Sequence, residues 1–142
     1  MKFVIRRINV SKAVDRDTIG ALHSACFSHD ELPNLTSGFW WLAYCNGKPA
    51  GFCGLERCDQ WYNAGYLCRA GVAPKYRGHG LQKRLIQVRI AQARRLDWDW
   101  LISDTTDNPA SANSLISKGF RLYIPSKPWG YKNTLYWRLE IS

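Results

Sequence analysis

A chain of 142 residues, 46% hydrophobic and 22% charged, has the length and make-up of one globular domain over 1–142, with one core and no room for a second. No run approaches ~18 consecutive apolar residues, which excludes a membrane-spanning helix, and MKFVIRRINV is too short and charged for a signal-peptide core, so a cytoplasmic location is expected. Lys and Arg number 20 against 11 Asp and Glu, a net charge of +9, which favours a phosphate-bearing cofactor, nucleic acid or an acidic protein surface as partner.

Phe3 to Val10 alternates loosely and reads as a first strand. Asp15 to Phe27 carries Ile19, Leu22 and Cys26 on one helical face, with Asp15 or Asp17 available as a cap. His23 and His29 have no second ligand at metal spacing, so they read as packing or surface residues and no metal is expected. Ser28 to Gly38 is a polar loop or short helix. Trp40 to Cys45 and Pro49 to Arg57 flank Asn46-Gly47, a strong hairpin signal. Cys26, Cys45, Cys53, Cys58 and Cys68 are odd in number and lack CxxC spacing, so they read as reduced, mostly buried small apolar residues.

Trp61 and Tyr62 lead into a strand from Ala64 to Val72. Pro74 breaks it, and Arg77, Gly78, His79 and Gly80 stand directly before a helix from Gly80 to Leu96. The first turn of a helix has N–H groups without internal partners and the positive end of the dipole, so this glycine-lined entry is suited to grip a pyrophosphate. A βα connection whose glycines only turn the chain is the competing reading. The pattern is neither the dinucleotide GxGxxG nor the P-loop GxxxxGK[ST]. Lys75, Arg77, Lys83, Arg84, Arg89 and Arg94 cluster in or after the loop, serving either a phosphate or a solvated helix face. Trp98 to Asp104 is the next strand, and Pro109 to Lys118 a shorter helix with Pro109 at its first position and Gly119 as its stop. Phe120 to Ile124 and Leu135 to Ile141 close the chain.

Val72-Ala73-Pro74 followed by Tyr76-Arg77-Gly78-His79-Gly80-Leu81 resembles the cofactor motif of the GNAT superfamily of acyl-CoA N-acyltransferases, (Gln/Arg)-x-x-Gly-x-(Gly/Ala). Arg77 and Gly80 match, and the last position is Gln82. Asn108-Pro109-Ala110-Ser111, Leu115 and Gly119-Phe120 resemble the family's Asn-x-x-(Ala/Ser) helix and following Gly-Phe. The resemblance covers essentially the entire chain. It implies an α/β (α+β) fold: a mixed, mostly antiparallel sheet of about six or seven strands, helices on both faces, and a splayed parallel strand pair holding acetyl-CoA. Those strands end at Val72 and Asp104. Ala70, Gly71 and Val72 would offer backbone groups to the pantetheine arm, while Arg77, Gly78, His79, Gly80, Leu81 and Gln82 hold the pyrophosphate. Gly71 would remove a side chain where the cofactor approaches. Asn108 would bond the arm, or serve only as a helix cap.

The reaction so implied is transfer of an acetyl group from acetyl-CoA to a primary amine, small molecule or protein, by direct attack on the thioester. An ammonium is not a nucleophile, so a base must take its proton. The Val72 N–H is the simplest donor to the carbonyl oxygen. The family's tyrosine acid falls on Leu115 and its glutamate base on Ser103, so neither role carries over. Glu56, Asp59 and Asp104 are the candidate proton acceptors, each with a surface carboxylate as the alternative. Tyr123 and Tyr131 are candidate replacements for the tyrosine, and the catalytic set expected is Glu56, Asp104 and Tyr123. The loop carrying Trp129, with Glu31 to Gly38, is expected to wall the acceptor site, and the resemblance allows a homodimer through the C-terminal strands. Two other readings are a basic nucleic-acid-binding module, which lacks any helix-turn-helix, zinc-finger or RNP-like sequence, and an acyl-CoA binder without turnover.

Overall fold

The structure, a computed structural model, describes residues 1–141. Its strands are β1 (Val4–Arg7), β2 (Phe39–Cys45), β3 (Lys48–Arg57), β4 (Ala64–Val72), β5 (Trp100–Thr105), β6 (Arg121–Tyr123) and β7 (Leu135–Glu140), and its helices α1 (Ala13–Cys26), α2 (Leu81–Arg95) and α3 (Pro109–Ser117). They form one mixed sheet in the order β1-β2-β3-β4-β5-β7-β6. The β4–β5 pair is parallel, and the other neighbours are antiparallel.

Strand β2 shows why helices cover both faces. Its side chains alternate, so Trp40 and Leu42 pack with Ile19 and Leu22 of α1, whereas Trp41 and Ala43 join the core beneath Leu81, Leu85, Ile86 and Ile90 of α2. On α2 the buried residues are Leu81, Leu85, Ile86, Arg89, Ile90, Gln92 and Ala93, one face of the helix turned to the sheet. Asn46 and Gly47 both have positive φ, 50° and 75°, and turn β2 into β3 with Cys45 opposite Lys48, as the dipeptide predicts.

Two expectations at the N-terminus change. Asp15 does not cap α1: Lys12 holds the N-cap without a side-chain bond, and Asp15 is buried in the first turn. There its carboxylate accepts hydrogen bonds from Arg6 Nη1 and Nη2, at 3.1 and 2.6 Å, and from the Asn9 N–H at 2.9 Å, so it ties β1 to α1. The first strand is correspondingly short. His23 is buried and stacks on Phe27 with ring centroids 5.1 Å apart, a packing residue. Among the described residues no cluster of three metal-ligating side chains occurs, and no helix is long and apolar enough to cross a membrane.

Candidate active site

The site begins where two strands part. Parallel pairing between β4 and β5 runs only from Ala64 opposite Trp100 to Tyr66 opposite Ile102, although β4 continues to Val72 and β5 to Thr105. The cause lies on the other edge of β4. Against β3, Ala70 faces Cys53 and Leu67 faces Leu55, which leaves Cys68 and Arg69 together opposite Gly54. Two residues against one is a β-bulge, and a bulged strand bends. Gly54 fits this close point, since a Cβ there would stand 2.6 Å from the Trp40 ring and 2.7 Å from Cys68 Sγ.

Two adjoining cavities lie along the parting. One cavity of 570 Å³ lies against the glycine loop, and one of 690 Å³ lies between the strand ends. Phe27, Ala70, Gln82, Asn108 and Ser111 line both. On the loop side, Pro74–Tyr76 make one 3-10 turn and Arg77 Nε donates to Val72 O at 2.9 Å, folding the loop back on the strand end. Gly78 and Gly80 have φ of 82° and 80°, where a side chain is strained, yet a Cβ at either would meet nothing within 4 Å. The backbone conformation, not crowding, calls for glycine. Gly80 is the N-cap of α2 and offers no side-chain bond to its first turn, so those N–H groups remain available to an anion.

Ala70, Gly71, Val72, Arg77, Gly78, Gly80, Leu81, Gln82 and Asn108 all line this part of the cleft; His79 does not. Gln82, where the motif has Gly or Ala, reaches Ser111 Oγ at 3.3 Å and links α2 to α3. Asn108 caps α3, its Oδ1 accepting the Ser111 N–H at 3.1 Å, while also lining the cleft. Gly71 requires a different explanation from the one expected. A Cβ there would stand 2.7 Å from Cys26 Sγ and 2.9 Å from the Phe52 ring, so the packing of α1 on β4 excludes a side chain.

In the cavity beyond, three strands bring Glu56, Tyr66 and Asp104 to the lining. Glu56 on β3 lies directly opposite Tyr66 on β4, so the two share a face of the sheet. Tyr66 donates its hydroxyl to Asp104 Oδ2 on β5 at 2.6 Å, and Trp129 Nε1 donates to the same oxygen at 2.7 Å. Burial, and then the nearby Asp59, raises the Glu56 carboxyl above its ordinary value. Burial pushes the Tyr66 phenol far up, and Asp104 pushes it further, so the phenol keeps its proton as the donor to Asp104. Asp30 closes this side through a 2.7 Å ion pair with Arg69, whose guanidinium stacks over Phe27.

The other candidates lie apart. Tyr123 lines neither cavity: its ring packs against Trp61 at 5.5 Å and under the Arg138 guanidinium, because short β6 pairs only with β7 at the sheet edge. That removes it from the acid's place. Asp59 and Tyr131 are exposed and face neither cavity. Ser103 and Leu115 do line the cleft, so the positions of the expected glutamate and tyrosine are present without their chemistry. Tyr66 was missed from the sequence, although its register against Glu56 is a signal that pairing the two strands would have supplied. Buried Arg89 was read only as part of a basic helix, and nothing in the sequence marks it as facing the cleft.

A sequence model of the Acetyltransferase (GNAT) family matches residues 11–118, which include the glycine loop, the parted strands and the cap of α3. The chain belongs to the GNAT family. Solved GNAT-like structures agree in fold. The ribosomal-protein-S18-alanine N-acetyltransferase of Escherichia coli superposes with a TM-score of 0.77 at 17% identity, covering 99% of this chain and 95% of that one. A GNAT acetyltransferase from Staphylococcus aureus gives 0.75 at 21% identity over 99% and 100% of the two chains. One from Elizabethkingia anophelis with acetyl-CoA bound gives 0.72 at 20% identity, over 97% of each. No curated protein sequence matches the chain. Membership assigns acyl transfer from a coenzyme A thioester as the chemistry of the family.

Proposed function

We propose that this GNAT chain transfers an acetyl group from acetyl-CoA to a primary amine, with Glu56 as the base. One observation carries the reading: beside the gap after Tyr66 and Ile102, two adjoining cavities that share Phe27, Ala70, Gln82, Asn108 and Ser111 lie one against the first turn of α2 and the other against Glu56. The diphosphate rests on the loop from Arg77 to Gln82, and the pantetheine arm follows the free edge of β4 at Ala70 to Val72. The thioester thereby reaches the acceptor cavity. A base is most effective when its pKa lies near the working pH, and burial moves Glu56 in that direction. Asp104, fixed by Tyr66 and Trp129, is a second carboxylate in the same cavity and suits a cationic acceptor. The nitrogen attacks the carbonyl carbon, the C–S bond breaks, and the amine proton passes to Glu56. Five free cysteines suit the reducing compartment that holds acetyl-CoA, and we place the reaction in the cytoplasm.

The test is thiol release from acetyl-CoA over a panel of small amines, lysine peptides and peptide N-termini, with binding of CoA measured in parallel. Amine-dependent release that Glu56→Gln abolishes supports the proposal. Tight binding with no release for any amine would establish a binder without turnover.

A further inference from the structure

We propose that the buried guanidinium of Arg89 holds the negative charge that the departing coenzyme A sulfur acquires. This rests on the acetyl-transfer reading and adds a role that neither cofactor motif contains. Arg89 is 2% exposed on α2 and lines the acceptor cavity. Its Nε donates to Leu85 O at 3.0 Å and its Nη1 to Gly54 O at 3.3 Å, both neutral carbonyls. Among the described residues no carboxylate lies within ion-pair distance of it. A buried cation without a counter-ion is costly, and two carbonyls offset only part of that cost. Gly54 is the residue opposite the bulge, so the charge sits beneath the point where β4 bends and the cleft opens.

The surrounding charges leave this role to Arg89. Glu56 from β3 and Asp104 from β5 line the same cavity, and both oppose a thiolate. Arg69 from β4 also lines it but is paired with Asp30. Leu115 and Ser103 have neither an acidic nor a charged group to offer. The protein's own sulfurs register the field: burial pushes the Cys53 thiol up to about 11, and burial with Glu56 pushes Cys68 up to about 12, while Arg89 opposes the rise in both. In the transfer, the new N–C bond forms as the C–S bond breaks and its electron pair goes to sulfur. Arg89 faces that charge, Glu56 keeps the amine proton, and the thiolate is protonated after it leaves the cleft.

The experiment titrates the thiol of bound CoA by its thiolate ultraviolet absorbance, with the same protein holding desulfo-CoA as the blank. In Arg89→Met the bound thiol should titrate about one unit or more above that in the wild type, the size of effect an opposite charge nearby produces. Arg89→Lys, which keeps the charge, should stay close to the wild type. Arg89→Met should melt no lower than the wild type, because it removes an unpaired buried charge. Equal titration in Arg89→Met and wild type overturns the proposal. If Arg89→Met fails to fold, the wild type decides: a bound thiol titrating at or below free CoA, despite burial and two carboxylates, supports Arg89, and one titrating above overturns it. Failure of CoA to bind in calorimetry overturns the acetyl-transfer reading and this inference with it, whereas binding with unchanged titration overturns this inference alone.

Discussion

Tyr66 and Asp104 are joined by a 2.6 Å hydrogen bond although Asp104 lies two residues beyond Ile102, where the pairing of β5 with β4 ends. The side chains bridge a gap that the backbones have left. With Trp129 Nε1 on the same oxygen, the carboxylate is held from both sides of the acceptor cavity.

Tyr66→Phe removes one of these donors and leaves Trp129 in place. A hydrogen bond to a charged group contributes about 1.5–3 kcal/mol, so kcat/KM for the amine should fall by about tenfold or more. The dissociation constant of acetyl-CoA should stay as it was. Trp129→Ala should act in the same direction, and steady-state kinetics with either variant showing unaltered acceptor constants would remove Asp104 from the acceptor site.

Glu56→Gln keeps the shape of the side chain and abolishes proton acceptance. Loss of a general base lowers kcat by about 10²–10⁴-fold. In the wild type, Glu56 must be ionised to act, so the rate should rise with pH through an inflection above the usual glutamate range, because burial raises that carboxyl. A flat profile across the acid range, measured under saturating acetyl-CoA, would assign the base elsewhere.

Gly80→Trp separates binding from folding. A Cβ at this position meets nothing within 4 Å, so the penalty to the fold is the positive φ alone, about 1–2 kcal/mol for a left-handed residue. The indole would instead occupy the cavity against the first turn of α2. Calorimetry should show coenzyme affinity reduced at least about tenfold, a change of 1.4 kcal/mol, while the protein still melts cooperatively.

Asp15 gives the fold a defined acid sensitivity. The Arg6 guanidinium, and then the Asn9 N–H, holds its carboxyl at about 2 against an ordinary 3.8. A depressed folded value means that stability is fully present above the unfolded value and is lost as pH falls through the folded one. Thermal midpoints should therefore decline between about pH 4 and pH 2, and Asp15→Asn should flatten that decline while lowering stability at neutral pH by about 1–3 kcal/mol.

The parts of the molecule set by local chemistry were legible in the sequence. Asn46-Gly47 named its hairpin because both residues tolerate positive φ. The loop from Arg77 to Gln82 was readable because glycine spacing and a helix start are both written in adjacent residues. What depends on register was not. Tyr66 and Glu56 are ten positions apart in the chain, and only the pairing of β3 with β4 puts them on one face. Arg89 shares its helix with several solvated cations, and only the depth of its turn separates it from Arg84, which is exposed and reaches Phe3 O. Tyr123 erred the opposite way: an aromatic near the right part of the chain was turned into a cluster at the sheet edge.

The doubled residues at Cys68 and Arg69 also set what a shortened chain would become. Deleting either one would leave a single residue opposite Gly54 and let β4 zip regularly along β3, while Ala70 and the residues after it keep their partners and their faces. The outcome should be a sheet that still assembles, with its central slot sewn shut and nowhere for a thioester to lie.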